Sequence, residues 1–408
     1  MRILLIGTHP SQTTGYSKVV FNIAKNFSRY PESRLTIYGI QKFTDVNDGV
    51  RLNLPSNVAV WDVYDKDKED FGFGTNGLFN FVLINDPDVV VVYNDPEVTQ
   101  KYIMNLKIVQ NSAQYKNMCR GFKIASYLDQ VHKSHDIDTI SYISQNADHV
   151  FCFTPLWREN YLSFFSDADK QIHAKKTSVV KHGIELSSDS LEEVQSFKMS
   201  LGFPKDSFIF LNLNRFATKK RLDISIIAFV KFLKKTSAKN AYIYFPCVID
   251  KDIAELKKIY INELRVNGLD RQFENRLAVN GSRLSDTDIH KIYQFSDVGL
   301  NSCDGEGFGL CNYEHAAYGR PQILSRVGGL LDYFNDGNSL LCTPKVTSYT
   351  TVLEKGEIIS SDDMTEHMVK YFMTPSFYNK HANALREIPQ KYRWSTEVDS
   401  MMSVLLTL

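Results

Sequence analysis

Val89-Val90-Val91-Val92-Tyr93 is apolar at every position. A strand with one wet face alternates apolar and polar residues, so a run without alternation predicts a strand covered on both faces, as in a parallel sheet flanked by helices. Working outward, Arg2–Ile6, Leu35–Ile40, Val58–Val63, Lys123–Leu128, Val150–Phe153 and Ser178–Val180 read as further strands. Amphipathic stretches separate several of them. Tyr16–Phe27, with Val19, Val20, Ile23, Ala24 and Phe27 on one face, is one. Strand–helix alternation of this kind predicts an α/β fold.

The pattern then restarts. Phe208–Leu213, Tyr242–Cys247, Leu277–Asn280, Val298–Asn301 and Gln322–Ser325 form a second strand set, with helices expected over Leu222–Lys235, Ile253–Gly268, Asp286–Phe295 and Leu310–Tyr318. Ser285-x-x-Asp288 resembles a helix-start signal. The expected organisation is two Rossmann-like domains, 1–186 and 187–385, with 386–408 a helix returning to the first. The cleft of such a pair is the default ligand site.

Two domains suit a chain of 408 residues, 43% hydrophobic and 23% charged. Lys+Arg and Asp+Glu are 47 each, which removes the electrostatic case for a dedicated nucleic-acid binder. The six cysteines form no C-x-x-C, so a zinc ribbon is not expected and reduced thiols are. Met1–Gly7 is too short an apolar run for a secretory leader, and no stretch reaches the ~18 apolar residues of a membrane span. The expected compartment is the cytosol.

The chemistry concentrates in Asn301-Ser302-Cys303-Asp304-Gly305-Glu306-Gly307-Phe308-Gly309-Leu310-Cys311-Asn312-Tyr313-Glu314-His315-Ala316. It follows an apolar strand and opens a helix. Its glycines let the backbone turn tightly and approach a ligand closely. The N–H groups of Phe308 to Cys311 at the helix start favour an anion such as a diphosphate. Read alone, the segment is equally a Gly-rich turn with a capping Glu. The second cluster is Asn212-Leu213-Asn214-Arg215-Phe216-Ala217-Thr218-Lys219-Lys220-Arg221. It lies at a strand's C-terminal end, where doubly wound folds bind ligands. Arg215 by a bidentate fork and Lys220 as a point charge suit a diphosphate. Alone, the run also reads as a solvated surface.

Taken in order, R-x4-K, then E-x7-E enclosing G-F-G-L, then Gly319-Arg320-Pro321, Val327-Gly328-Gly329 and Asp336-Gly337-Asn338 resemble the retaining glycosyltransferases of family 4, including members that large DNA viruses encode. The resemblance implies the GT-B fold and transfer of a sugar from a nucleoside-diphosphate donor with retention of configuration, without a cofactor or metal. It places Arg215 and Lys220 on the diphosphate, with Asn214 beside them, and Glu306 near the donor sugar. It places Gly307, Phe308, Gly309, Leu310 and Cys311 as backbone donors, Glu314 on the ribose, and Ser282 and Arg283 near the base. GDP-mannose is slightly favoured as donor, then UDP-glucose. The acceptor is a glycan, glycoprotein or lipid-linked hydroxyl, and peripheral membrane contact is compatible with that. An epimerase of the same architecture and a non-catalytic nucleotide-sugar binder are the alternatives.

The N-terminal half departs from the family. Gly15 is followed by Tyr16 where members carry a glycine pair, and no G-x-G-x-x-G is present. Asp129 stands where many members have histidine. It is a candidate group near the donor sugar, or the cap of a turn. His132 is its neighbour or a surface residue. His182, in His182-Gly183-Ile184, is expected on the ligand side or as a structural histidine.

Overall fold

The computed structural model describes residues 1–41, 51, 53–63, 70–248, 250–269, 271–281, 284–349 and 355–408. The chain forms two compact units, Met1–Gly183 with Tyr392–Leu408, and Ile184–Lys391.

The N-terminal unit is built on β1 (Arg2–Thr8), β2 (Arg34–Ile40), β3 (Val58–Asp62), β4 (Val89–Asn94), β5 (Lys123–Leu128), β6 (His149–Cys152) and β7 (Thr177–Val179). All are parallel, in the order β3-β2-β1-β4-β5-β6-β7. The valine run is β4, and all six of its residues are buried. Helix Trp394–Leu405 closes this unit: Asp399 takes Arg29 at 2.6 Å and the Tyr30 hydroxyl at 2.6 Å, and Glu397 accepts the Lys181 N–H at 2.7 Å. Gly183 is a glycine because a Cβ there would strike the Trp394 backbone.

The C-terminal unit carries β8 (Phe208–Leu211), β9 (Ala241–Phe245), β10 (Leu277–Val279), β11 (Val298–Asn301), β12 (Gln322–Ser325) and β13 (Leu340–Cys342). These too are parallel, in the order β10-β9-β8-β11-β12-β13. Phe210 joins a core with helices Leu222–Thr236 and Ser361–Met373, while Ile209 and Leu211 join another with helix Asp286–Phe295. The alternation shows why β8 has no polar face. Ser285 and Asp288 form a reciprocal capping box at the start of Asp286–Phe295, as the sequence signal predicts. β13 was not expected, nor was an antiparallel hairpin, β14 (Val346–Tyr349) with β15 (Lys355–Ile358).

In both sheets the strand order reverses at the first strand, between β1 and β4 and between β8 and β11. That reversal opens a crevice at the strands' carboxyl ends. The loops leaving β8 and β11 are the two clusters singled out in the sequence.

Candidate active site

The loop after β8 is tied down at once. Asn212 is fully buried, accepts from Asn214 Nδ2 at 2.8 Å and donates to Ser225 Oγ at 3.2 Å. Thr218–Lys220 form one 3-10 turn. The loop after β11 is stitched to it through the backbone: Asp304 N–H donates to the Lys219 carbonyl at 2.9 Å, and Ser302 Oγ donates to the Arg221 carbonyl at 2.7 Å. This brings Lys220 Nζ to 2.7 Å from Glu306 Oε2, with both side chains only 12% exposed. Burial pushes the Glu306 carboxyl up, but Lys220 and the Asn301 amide outweigh it and hold the group below its usual range. Burial likewise pulls Lys220 down, and the charge of Glu306 reverses that, leaving the ammonium above its ordinary value. The pair is ionised. Arg215 is exposed and has no ion-pair partner among the described residues.

Beyond Glu306 the chain makes a packed turn. Gly309 has φ +88°, and a Cβ there would run into Leu330. Gly329 N–H donates to the Glu306 carbonyl at 3.0 Å, and a Cβ on Gly329 would overlap the Gly307 carbonyl. Phe308 stacks on Tyr313, centroids 4.4 Å apart. Helix Leu310–Ala317 then starts without a side-chain cap. The Asn312 and Tyr313 N–H groups turn back to the Gly309 carbonyl, while no carbonyl of the described residues takes those of Leu310 and Cys311. A helix start of this kind favours an anion. Burial pushes the Cys311 thiol up to about 12, which keeps it un-nucleophilic. The hairpin braces the turn from outside: Glu357 N–H donates to the Asp304 carbonyl at 2.8 Å, and Gly356 lies against the Asp304 side chain.

Glu314 is buried in the same helix and accepts from the Tyr293 hydroxyl at 3.0 Å. The structure therefore brings Asn214, Lys220, Glu306, Gly307–Cys311 and Glu314 into one unit, with Arg215 at its exposed edge. Ser282 and Arg283 lie outside the described residues.

In the N-terminal unit, Gly15 opens helix Gly15–Asn26, and nothing stands within 4 Å of where its Cβ would be. Thr14 and Ser17 cap this helix reciprocally, so its end is already satisfied. The Tyr16 hydroxyl donates to Asp129. Burial first, and the Asp129 charge second, push that phenol far above its ordinary value. His132 is 3% exposed, which overturns its reading as a surface residue: the segment after β5 turns inward. His182 sits among Phe153, Tyr127 and Trp394, with centroids 4.5, 5.8 and 5.7 Å away. Burial pulls its pKa down to about 3, so the ring is neutral.

Sequence reasoning missed the chain of buried amides that leads away from Glu306, Asn301 to Asn312 to Gln322, and it missed the hairpin. The polar residues within β11 and the helix after it were the available signal, since buried amides are kept only when hydrogen-bonded. Among the described residues no group of three His, Cys, Asp or Glu is placed to hold a metal ion, and no helix is long and apolar enough to cross a membrane.

Residues 193–371 match the family model described as glycosyl transferases group 1. Mannosylfructose-phosphate synthase of Agrobacterium fabrum is 24% identical over 199 residues, 49% of this chain and 42% of that protein. The chain thus spans under half the length of that relative. An uncharacterized glycosyltransferase of Methanocaldococcus jannaschii is 21% identical over 374 residues, 90% of this chain and 87% of its own. Anabaena HepE, solved with UDP and glucose, superposes with a TM-score of 0.73 at 15% identity, covering 100% of both chains. Sucrose-phosphate synthase of Thermosynechococcus elongatus gives 0.71 at 15% identity, covering 100% of this chain and 98% of its own. The fold is the GT-B fold that the family resemblance implies.

Proposed function

We propose that this chain is a retaining glycosyltransferase related to the group 1 family and that it binds the diphosphate of a nucleotide-sugar donor at Arg215, Lys220 and the start of helix Leu310–Ala317. The carrying observation is the ionised Lys220–Glu306 pair beside that uncapped helix start. Cations and backbone N–H groups converge there, and one carboxylate is held among them. A diphosphate uses the first two, and the hydroxyls of a sugar use the third.

The Leu310 and Cys311 N–H groups, Lys220 and Arg215 stabilise charge as it builds on the leaving diphosphate. The two amides and Lys220 are held in place before the reaction, which limits the reorganisation that opposes them. The bond between the anomeric carbon and the diphosphate oxygen breaks, and the acceptor oxygen bonds to the same face of that carbon. The acceptor's proton passes to the departing diphosphate. Glu306 accepts hydroxyls of the transferred sugar and Glu314, held by Tyr293, accepts those of the ribose. In the N-terminal unit Asp129 accepts from the Tyr16 hydroxyl, and Asp129, Gly15 and His182 are that unit's candidates by the family resemblance alone.

Anabaena HepE was solved with UDP-glucose. That supports testing UDP-glucose alongside GDP-mannose, the donor the family resemblance slightly favours. The acceptor is a hydroxyl of a glycan, a glycoprotein or a lipid-linked sugar. The test is calorimetry of UDP, GDP, UDP-glucose and GDP-mannose against the wild type and Lys220→Ala. NMR of the released or transferred sugar then reports its anomeric configuration. Binding of one nucleotide sugar that is lost in Lys220→Ala supports the proposal. A wild type that binds none of the four overturns it, and a changed sugar stereocentre without transfer identifies an epimerase.

A further inference from the structure

The Glu306 carboxylate is the end of a buried hydrogen-bond chain that runs through the unit to a histidine. Asn301 Nδ2 donates to Glu306 Oε2 at 3.1 Å and to Asn312 Oδ1 at 2.9 Å. Asn312 Nδ2 donates to Gln322 Oε1 at 3.0 Å and, more weakly, to the Leu300 carbonyl at 3.5 Å. Gln322 Nε2 donates to the Arg320 carbonyl at 2.8 Å and meets His315 Nδ1 at 3.2 Å. His315 Nε2 faces the Ser296 carbonyl at 3.3 Å. Asn301, Asn312, Gln322 and His315 are all at most 3% exposed. Gly299 is a glycine because a Cβ there would occupy the place of the Gln322 amide.

The chain has one sense. Glu306 is ionised and only accepts, so Asn301 turns its NH2 toward it. Asn301 Oδ1 then accepts the Cys303 N–H at 3.0 Å. A flipped Asn301 would set its oxygen against both Glu306 and Asn312 Oδ1, and its NH2 against a backbone donor. With Asn301 set, Asn312 and Gln322 follow, and every amide hydrogen is used. The last link makes His315 Nδ1 an acceptor and puts the ring proton on Nε2, where the Ser296 carbonyl takes it. Tyr293 stacks on His315 with centroids 5.6 Å apart while its hydroxyl holds Glu314. A satisfied buried network specifies one arrangement of its members.

We infer that Asn301 is a positioning residue for Glu306, with its orientation set by the relay Asn312–Gln322–His315. The inference rests on the reading that Glu306 serves the donor sugar. Asn301 is fully buried and acts by fixing which carboxylate oxygen faces Lys220 and which is left for a sugar hydroxyl.

The experiment measures donor hydrolysis by the full chain, without acceptor, using UDP-glucose and GDP-mannose. Asn301→Leu and Gln322→Leu are made in the wild type and in Glu306→Gln, and UDP and GDP affinities are measured alongside. Asn301→Leu is expected to lower kcat about 10- to 100-fold and Gln322→Leu less, the scale of a hydrogen bond to a charged group. Nucleotide affinity is expected to stay within about twofold. In the Glu306→Gln background both substitutions are expected to have little further effect, because coupled residues are non-additive. Equal losses in both backgrounds would overturn the inference and mark the amides as merely structural. Asn301→Ser, which keeps an acceptor for Cys303 and loses the reach to Glu306, replaces Asn301→Leu if circular dichroism shows misfolding. A second readout is independent of activity: nitrogen-15 NMR of the wild type is expected to show His315 neutral with its proton on Nε2. A proton on Nδ1 would overturn the relay. If the wild type binds and cleaves no nucleotide sugar, the functional reading falls while this NMR readout still decides the relay.

Discussion

Lys220 and Glu306 are 86 positions apart in the chain and 2.7 Å apart in the fold. Each holds the other's charge, so each is already paired before a ligand arrives. Arg215, exposed at the same edge, has no such partner among the described residues.

The two cations are therefore expected to respond differently. Lys220→Ala removes the proposed diphosphate contact and strands a buried carboxylate. It should weaken nucleoside-diphosphate binding by ~1.5–3 kcal/mol and lower stability by about 3 kcal/mol, the scale of a broken buried pair. Glu306→Gln added to Lys220→Ala should restore most of that stability, because the stranded charge is gone. Arg215→Ala should cost about 1 kcal/mol of binding, more at low salt, and leave stability unchanged. Calorimetry at two salt concentrations and urea melts decide. Equal stability losses in the two single variants would contradict the pairing.

Acid sensitivity follows from buried groups in both units. His182 and His315 are each pulled to about 3 by burial, against about 6.5 in an unfolded chain. Between those values the unfolded chain binds a proton that the folded one does not. Stability is thus full above pH ~6.5 and falls with decreasing pH by about 1.4 kcal/mol per unit for each histidine. Glu306 acts in the same direction lower down: its folded value is depressed, so its contribution is present above the unfolded value near ~4.3 and lost as pH falls through the folded one. His182→Phe should remove one proton from the slope of unfolding free energy between pH 6 and 4. An unchanged slope would show that the His182 ring is protonated in the fold.

The strand pattern was legible because burial on both faces leaves an unbroken apolar signal, as in Val89–Tyr93, and because polar loops follow β8 and β11 directly. β13 was not, since Leu340–Cys342 is too short to show a period. The hairpin was not, because Val346–Tyr349 and Lys355–Ile358 mix polar and apolar residues without a two-residue turn signal. The Glu306 turn was legible from its glycines. The ion pair and the amides were not, because a side-chain bond across 86 positions leaves no local periodicity. Of the two readings of His132, the surface one fails for a related reason: polar residues after a strand say nothing about which way the chain turns next.

The hairpin supplies a prediction the sequence did not. A Cβ on Gly356 would come within 2.7 Å of Asp304 Cγ, and Asp304 is stitched to both the hairpin and the Lys219 carbonyl. Gly356→Val is expected to push the Asp304 side of the turn and reduce kcat about tenfold, with a stability loss of about 1–3 kcal/mol from overpacking. Gly356→Ala should fall between it and the wild type. Donor-hydrolysis rates matching the wild type in Gly356→Val would show that the hairpin does not reach the turn.

The last prediction separates the two carboxylates. Glu306 stands among the cations and helix N–H groups assigned to the diphosphate. Its charge opposes that of the bound nucleotide and occupies Lys220. Glu306→Gln removes the repulsion and frees Lys220, so UDP or GDP should bind more tightly. The same change removes the acceptor proposed for hydroxyls of the sugar whose ring gains charge during bond breaking, so kcat should fall, by about 100-fold or more. Glu314 is held by Tyr293 and is assigned to the ribose, which does not change during the reaction. A contact made equally in ground and transition states affects KM and leaves kcat, so Glu314→Gln should raise the donor KM. Tyr293→Phe, which loosens the Glu314 carboxylate without removing it, should do the same more weakly. Circular dichroism must first show all three variants folded. Loss of kcat at saturating donor in Glu314→Gln, with Glu306→Gln still active, would exchange the two roles.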